Sequence, residues 1–125
     1  MKKTDSCDSE DPRNNLDWTQ FEAITCSLLP EFITVYREFE RELPQLLKDL
    51  RAAIADASSQ KVASLAHQIK GSAANFGFVG TSQKMNELEC EAQKKLLQHA
   101  EKHLIAAQEA FEQARLEVNR RLQGI

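Results

Sequence analysis

The chain has 125 residues, 42% hydrophobic and 28% charged, with a formal net charge of -3 at neutral pH, and this length and composition suit one globular core. The slightly acidic balance, with a pI near 5.6, leaves no broad basic field for nucleic acid or an anionic membrane surface. The three cysteines, Cys7, Cys26 and Cys90, are odd in number and lack metal-type spacing, which argues against a disulfide framework or structural zinc and favours a reducing cytoplasm.

Residues 1–15, MKKTDSCDSEDPRNN, are polar and lack the apolar run of a signal peptide, so they are expected to form a flexible tail ahead of a helical domain over residues 16–125. No stretch approaches the ~18 consecutive apolar residues of a membrane-spanning helix. Asp17 as N-cap, Gln20 three residues later, and Leu16 and Phe21 at the positions of a hydrophobic staple predict a short helix that starts there and ends near Pro30. From Phe32 the apolar residues Phe32, Val35, Tyr36, Phe39, Leu43, Leu46, Leu47, Leu50 and Ile54 recur mostly every three or four positions, the mark of a long amphipathic helix. Pro44 lies inside it and removes one backbone hydrogen bond, so a kink or break is expected just before that point.

Ser58 or Ser59 can cap the next helix, whose stripe is Val62, Leu65, Ile69, Ala73 and Phe76, with Gly77 as its C-terminal stop. Met85, Leu88, Ala92 and Leu96 mark a further helix, and Leu104, Ala107, Phe111, Ala114, Val118 and Leu122 mark the last. The expected fold is all-α: an antiparallel four-helix bundle with a short additional N-terminal helix.

At about 100° per residue, His67 falls opposite the core stripe of its helix and points outward. Ala63, Ser64, Gly71 and Ala74 surround it on the outer face, and their small side chains leave the imidazole sterically open. A glycine inside a helix costs ~1 kcal/mol relative to alanine; at Gly71, one turn after His67, a larger side chain would lie beside the ring. Lys70 can reach the edge of the ring as a counter-charge for an added phosphoryl group. An imidazole, with an ordinary pKa of ~6.5, is a nucleophile near neutral pH without a general base. By geometry alone, an exposed histidine is equally an ordinary surface residue, and Gly71 could serve helix packing.

The run AHQIKGSAANFGF, from Ala66 to Phe78, resembles the phosphorylation motif of histidine-containing phosphotransfer (HPt) domains of two-component phosphorelays. In that pattern the phosphorylated histidine is followed by lysine and glycine three and four positions on, a pair of small residues and a later glycine, here His67, Lys70, Gly71, Ser72, Ala73 and Gly77. Leu88-Glu89 resembles the family's pattern in the following helix. Thr81 and Met85 depart from it, at packing positions where many members carry leucine and often cysteine.

The resemblance implies a phosphocarrier that moves a phosphoryl group between Nε2 of His67 and receiver-domain aspartates of a hybrid sensor kinase or response regulator. The receiver would supply Mg²⁺, and this chain would need no metal or cofactor of its own. Ser64, Gln68 and Ala74 are candidate docking residues, and Lys61 and Lys84 candidate positive charges near that face. No ATP-binding motif is present, so the kinase is expected to be a separate chain or domain. The opening Met and polar tail suggest a standalone intermediate, which is expected to be cytoplasmic and monomeric. A helical adaptor that binds a signalling partner without chemistry is the alternative; a coiled-coil scaffold is disfavoured by the turn signals at Pro30, Ser58, Gly77 and Gly80. His99 and His103 have the i, i+4 spacing of some zinc helices, but Ala100 stands where a glutamate should follow and no third ligand is evident.

Overall fold

The computed structural model describes residues 15–123. The expected tail over residues 1–15 thus lies, apart from Asn15, outside the described residues, as do Gly124 and Ile125. Five helices make up the described chain: α1 Trp18–Ile24, α2 Pro30–Ala55, α3 Ser59–Asn75, α4 Val79–Gln93 and α5 Ala100–Gln123. The long helices pack in sequence, α2 on α3, α3 on α4 and α4 on α5, while α5 also meets α2 and α1 rests on α3. None of the described helices is long and apolar enough to cross a membrane.

The Asp17 side chain accepts from the backbone N–H of Gln20, as the capping pattern requires, and Leu16 and Phe21 both enter the core. Helix α1 ends at Ile24, well short of Pro30. The Thr25 hydroxyl donates to the Phe21 carbonyl at 2.8 Å and accepts from the Leu28 N–H at 3.3 Å, and Cys26, Ser27 and Leu28 then take positive φ, which ends the helix. Pro30 opens α2 at its first turn, where a missing N–H costs nothing.

Helix α2 runs without a break through Pro44. No break occurs there because the apolar seam on both sides, Tyr36, Phe39, Leu43, Leu47, Leu50 and Ala53, is buried against the other helices and offsets the lost hydrogen bond. Two residues assigned to that seam lie outside it: Phe32 and Val35 are 39% and 50% exposed. Leu96 is also exposed, because α4 stops at Gln93 and the chain has left the helix before reaching it. The α5 stripe is buried from Leu104 to Val118.

An aromatic cluster fills the end of the core nearest α1. Phe21, Tyr36, Phe39, Phe76, Phe78 and Phe111 lie in mutual contact, with Phe21 against Tyr36 edge to face at 4.9 Å and Phe39 stacked on Phe76 at 4.8 Å. Trp18 stacks on Phe21 at 5.0 Å and is covered by the Arg121 guanidinium at 4.9 Å, which ties α1 to the end of α5.

Helix α3 ends in a Schellman turn. The Phe78 N–H bonds to the Ala73 carbonyl at 2.8 Å, the Gly77 N–H bonds to the Ala74 carbonyl at 3.1 Å, and Gly77 takes φ +78°. Its carbonyl accepts from the Asp17 N–H at 2.7 Å, and a Cβ on Gly77 would lie 2.3 Å from the Asp17 carbonyl oxygen. Gly77→Ala is therefore expected to lose at least ~1–2 kcal/mol from left-handed backbone alone, and more from the clash that prises α1 away. Urea unfolding measures the loss, and quenched Trp18 fluorescence returning toward that of free tryptophan reports the detachment.

Candidate functional site

His67 lies midway along α3 with its side chain 69% exposed, on the flank that faces α4. Its helix is oriented by Val62, Ala66, Ile69 and Ala73, all completely buried. Across the α3–α4 interface, Glu89 is carried on the same side of α4 as Met85, Leu88 and Ala92, which are buried. The Glu89 carboxylate is only 11% exposed, and its two oxygens reach different partners: Oε2 lies 3.0 Å from Nδ1 of His67, and Oε1 lies 2.7 Å from Nζ of Lys70.

This contact decides the state of the ring. An ionised carboxylate can only accept hydrogen bonds, so Nδ1 is the donor, and in the neutral ring the lone pair is on Nε2. The bridge thus leaves the exposed nitrogen as the nucleophilic one. Further polar groups hold the carboxylate and the ammonium in place: the Gln93 amide donates to Glu89 Oε2 at 3.4 Å, and Lys70 donates to the Asn86 side-chain oxygen at 3.4 Å. The Ser82 hydroxyl donates to the Lys70 carbonyl at 3.2 Å, a further tie between α3 and α4.

Burial alone would raise the pKa of Glu89, but hydrogen bonding and charge from Lys70 and then from His67 outweigh it and hold the carboxyl below its ordinary value. Lys70 is itself 29% exposed and is paired with the Glu89 carboxylate. Gly71 is exposed, and a Cβ there would meet nothing within 4 Å. Packing within the chain therefore does not demand glycine at this position.

Ser64, Gln68 and Ala74 are all exposed, and Gln68 and Ala74 border different grooves. Gln68 lines a groove with Ser72 and Asn75 of α3 and with Val35, Glu42 and Leu46 of α2. Ala74 lies on the α4 flank of α3, two turns from His67 on the same face, beside Gln20, Ser82 and Asn86. Lys84 does not belong to the neighbourhood of His67: it lies 3.6 Å from Glu87 and lines a groove between α4 and α5 with His99 and His103. His103 is engaged with Glu87 and Glu91 at 3.5 and 3.1 Å, and among the described residues no cluster is arranged to hold a metal ion.

The role of Glu89 is the feature that the helical periodicities pass over. Its signal is present: Met85, Leu88, Glu89 and Ala92 occupy i, i+3, i+4 and i+7, so a carboxylate falls on a core-facing stripe, where a charge needs a partner. With its folded pKa depressed, Glu89 contributes stability that is present above the ordinary carboxylate range and is lost as pH falls through the folded value. The stability difference between wild type and Glu89→Gln is accordingly expected to be greatest above about pH 5 and to narrow at lower pH. Urea titrations across this range measure it, and a difference independent of pH would contradict the assignment.

The family model described as Hpt domain matches residues 34–121, a span from the second turn of α2 almost to the end of α5 that contains His67, Lys70 and Glu89. Searches of curated proteins and of solved structures returned no significant match. The family match covers more than half of the chain and agrees with its all-helical packing, and the chain belongs to the Hpt domain family, the phosphocarrier modules of histidine phosphotransfer in phosphorelays.

Proposed function

We propose that this protein is a phosphorelay intermediate that accepts a phosphoryl group on Nε2 of His67 from a receiver-domain aspartate and passes it to the aspartate of another receiver. The observation that carries this reading is the 3.0 Å contact between Nδ1 of His67 and the Glu89 carboxylate, which commits the inner nitrogen and leaves Nε2 free on an exposed ring. The chain acts as a monomeric, cytoplasmic carrier. It contributes a positioned imidazole, while the receiver contributes Mg²⁺ and the acidic pocket that stabilise the loose transition state.

The ring of helix pairings, α2–α3–α4–α5 and back to α2, together with short connections, supports an antiparallel four-helix bundle to which α1 is a short addition. On that frame the docking surface extends from His67 and Gln68 toward α2. Ile24, Leu29, Phe32 and Val35 are exposed apolar residues at the α1–α2 end, and Val35 borders both the Gln68 groove and a smaller one with Ile24, Phe32 and Phe76. Such a strip, reached from the ring by way of the Gln68 groove, suits a partner that must bring its aspartate to Nε2.

A phosphorylated receiver domain incubated with this protein is expected to label it with an acid-labile, base-stable phosphate, and His67→Gln should abolish the label. Label that survives His67→Gln refutes the site. Since a Cβ at Gly71 meets nothing, Gly71→Ala should raise stability by about 0.5–1 kcal/mol. Gly71→Leu should keep a well-formed helix yet slow transfer about tenfold or more, as a docking clash of ~1.4 kcal/mol does; an unchanged rate in stopped-flow transfer would refute the steric role.

A further inference from the structure

The Glu89 contact has a consequence for the phosphorylated ring, given the carrier role of His67. When the Nε2–P bond forms, the lone pair of Nε2 is committed to phosphorus, and a ring that keeps its Nδ1 proton becomes a phosphoimidazolium. When that bond breaks toward an aspartate oxygen, the bonding pair returns to Nε2 and the ring leaves as neutral imidazole. Had Nδ1 lost its proton in the interval, the leaving group would be an imidazolate, a far stronger base and a far poorer leaving group. The fate of one proton thus sets how readily the phosphoryl group departs.

In this protein that proton points at a carboxylate. Oε2 of Glu89 is 3.0 Å from Nδ1, the carboxylate is nearly buried, and Lys70 at 2.7 Å favours its ionised form. The groups hydrogen-bonded or ion-paired to this carboxylate and ammonium are His67, Asn86 and Gln93, and Lys70 is the one fixed positive charge among them. We propose that Glu89 is a positioning residue that keeps the Nδ1 proton on phosphorylated His67, so that the phosphoryl group arrives and leaves without any proton transfer and the phosphohistidine remains an activated donor. A neutral amide in place of Glu89 would accept the same hydrogen bond but without the charge that holds the proton. It would also release Lys70 to pair with the phosphoryl oxygens. Both effects lengthen the life of the phosphohistidine.

The test loads wild type and Glu89→Gln with phosphoramidate as a chemical phosphodonor and follows loss of phosphate by ³¹P NMR from about pH 5 to pH 9, alone and with a receiver domain as acceptor. If the carboxylate moves titration of the phosphorylated ring by about one pH unit, Glu89→Gln loses phosphate about tenfold more slowly above neutral pH. The two rates converge toward pH 5, where both rings are protonated. Adding Lys70→Ala to Glu89→Gln separates the two effects: the displaced pH profile persists although the freed ammonium is gone. In the wild type alone, imidazole ¹⁵N spectra of the phosphorylated protein retain a predominant Nδ1–H signal at pH 7. Superimposable pH profiles of wild type and Glu89→Gln, or a predominantly unprotonated Nδ1 in the wild-type phosphoprotein at pH 7, would overturn the inference while leaving His67 as the carrier. Phosphate retained by His67→Gln after the same loading would remove the carrier reading itself.

Discussion

The turn at Gly77 governs the relative placement of α1, α3 and α4. Its positive φ lets the last carbonyls of α3 find donors at once, and the absence of a Cβ lets the Asp17 backbone come within hydrogen-bonding range of the turn. One residue therefore ends a helix, starts the next and seats the first helix of the described chain. Gln20 adds to the junction by donating to the Asn75 carbonyl at 3.0 Å, which satisfies one of the carbonyls that a helix end leaves without a partner. The aromatic cluster packs directly around this junction, with Phe76 and Phe78 on either side of the glycine both buried.

So short a bend leaves α3 and α4 little freedom to slide past one another. His67 and Glu89 each lie about three turns from it, on facing flanks, and their 3.0 Å contact follows from that register. A slip of one residue would rotate Glu89 by about 100° and remove the carboxylate from the ring. The chemistry of an exposed histidine is in this way referred to a rigid feature of the core. The same carboxylate anchors Lys70, so a single side chain positions the ring and places a positive charge beside it at once.

Much of this arrangement was legible in the amino-acid sequence, because helical periodicity and capping are local. Asp17, Ser58 and Gly77 mark their helix ends where expected, and the stripes of α3 and α5 fall in the core except for Leu65 and Leu122, which are partly buried against it. The departures share a cause. Phe32 and Val35 satisfy the helical period but have no element packed over them, and Pro44 breaks a local rule that burial on both sides overrides. In the site, the outward direction of His67 follows from its own helix, whereas its partner belongs to a different one. The pairing of His67 with Glu89 depends on inter-helix register, which the period of neither helix contains, and the most local trace of it is a charge on a core-facing stripe.

The two flanks of α3 are chemically unlike. Toward α4, the surroundings of His67 are a carboxylate, an ammonium and two amides in a connected polar set, fixed by neighbours that are buried. Toward α2, Gln68 borders a groove of mixed polar and apolar residues that continues into the exposed Val35 and Phe32. On the proposed function, changes on the α4 flank would alter the proton and charge on the ring, whereas changes on the α2 flank would alter the shape offered to a receiver without touching the ring. Such a division would let recognition of a receiver vary while the surroundings of the imidazole stay constant, since no residue of the α2 groove contributes a hydrogen bond to Glu89 or Lys70.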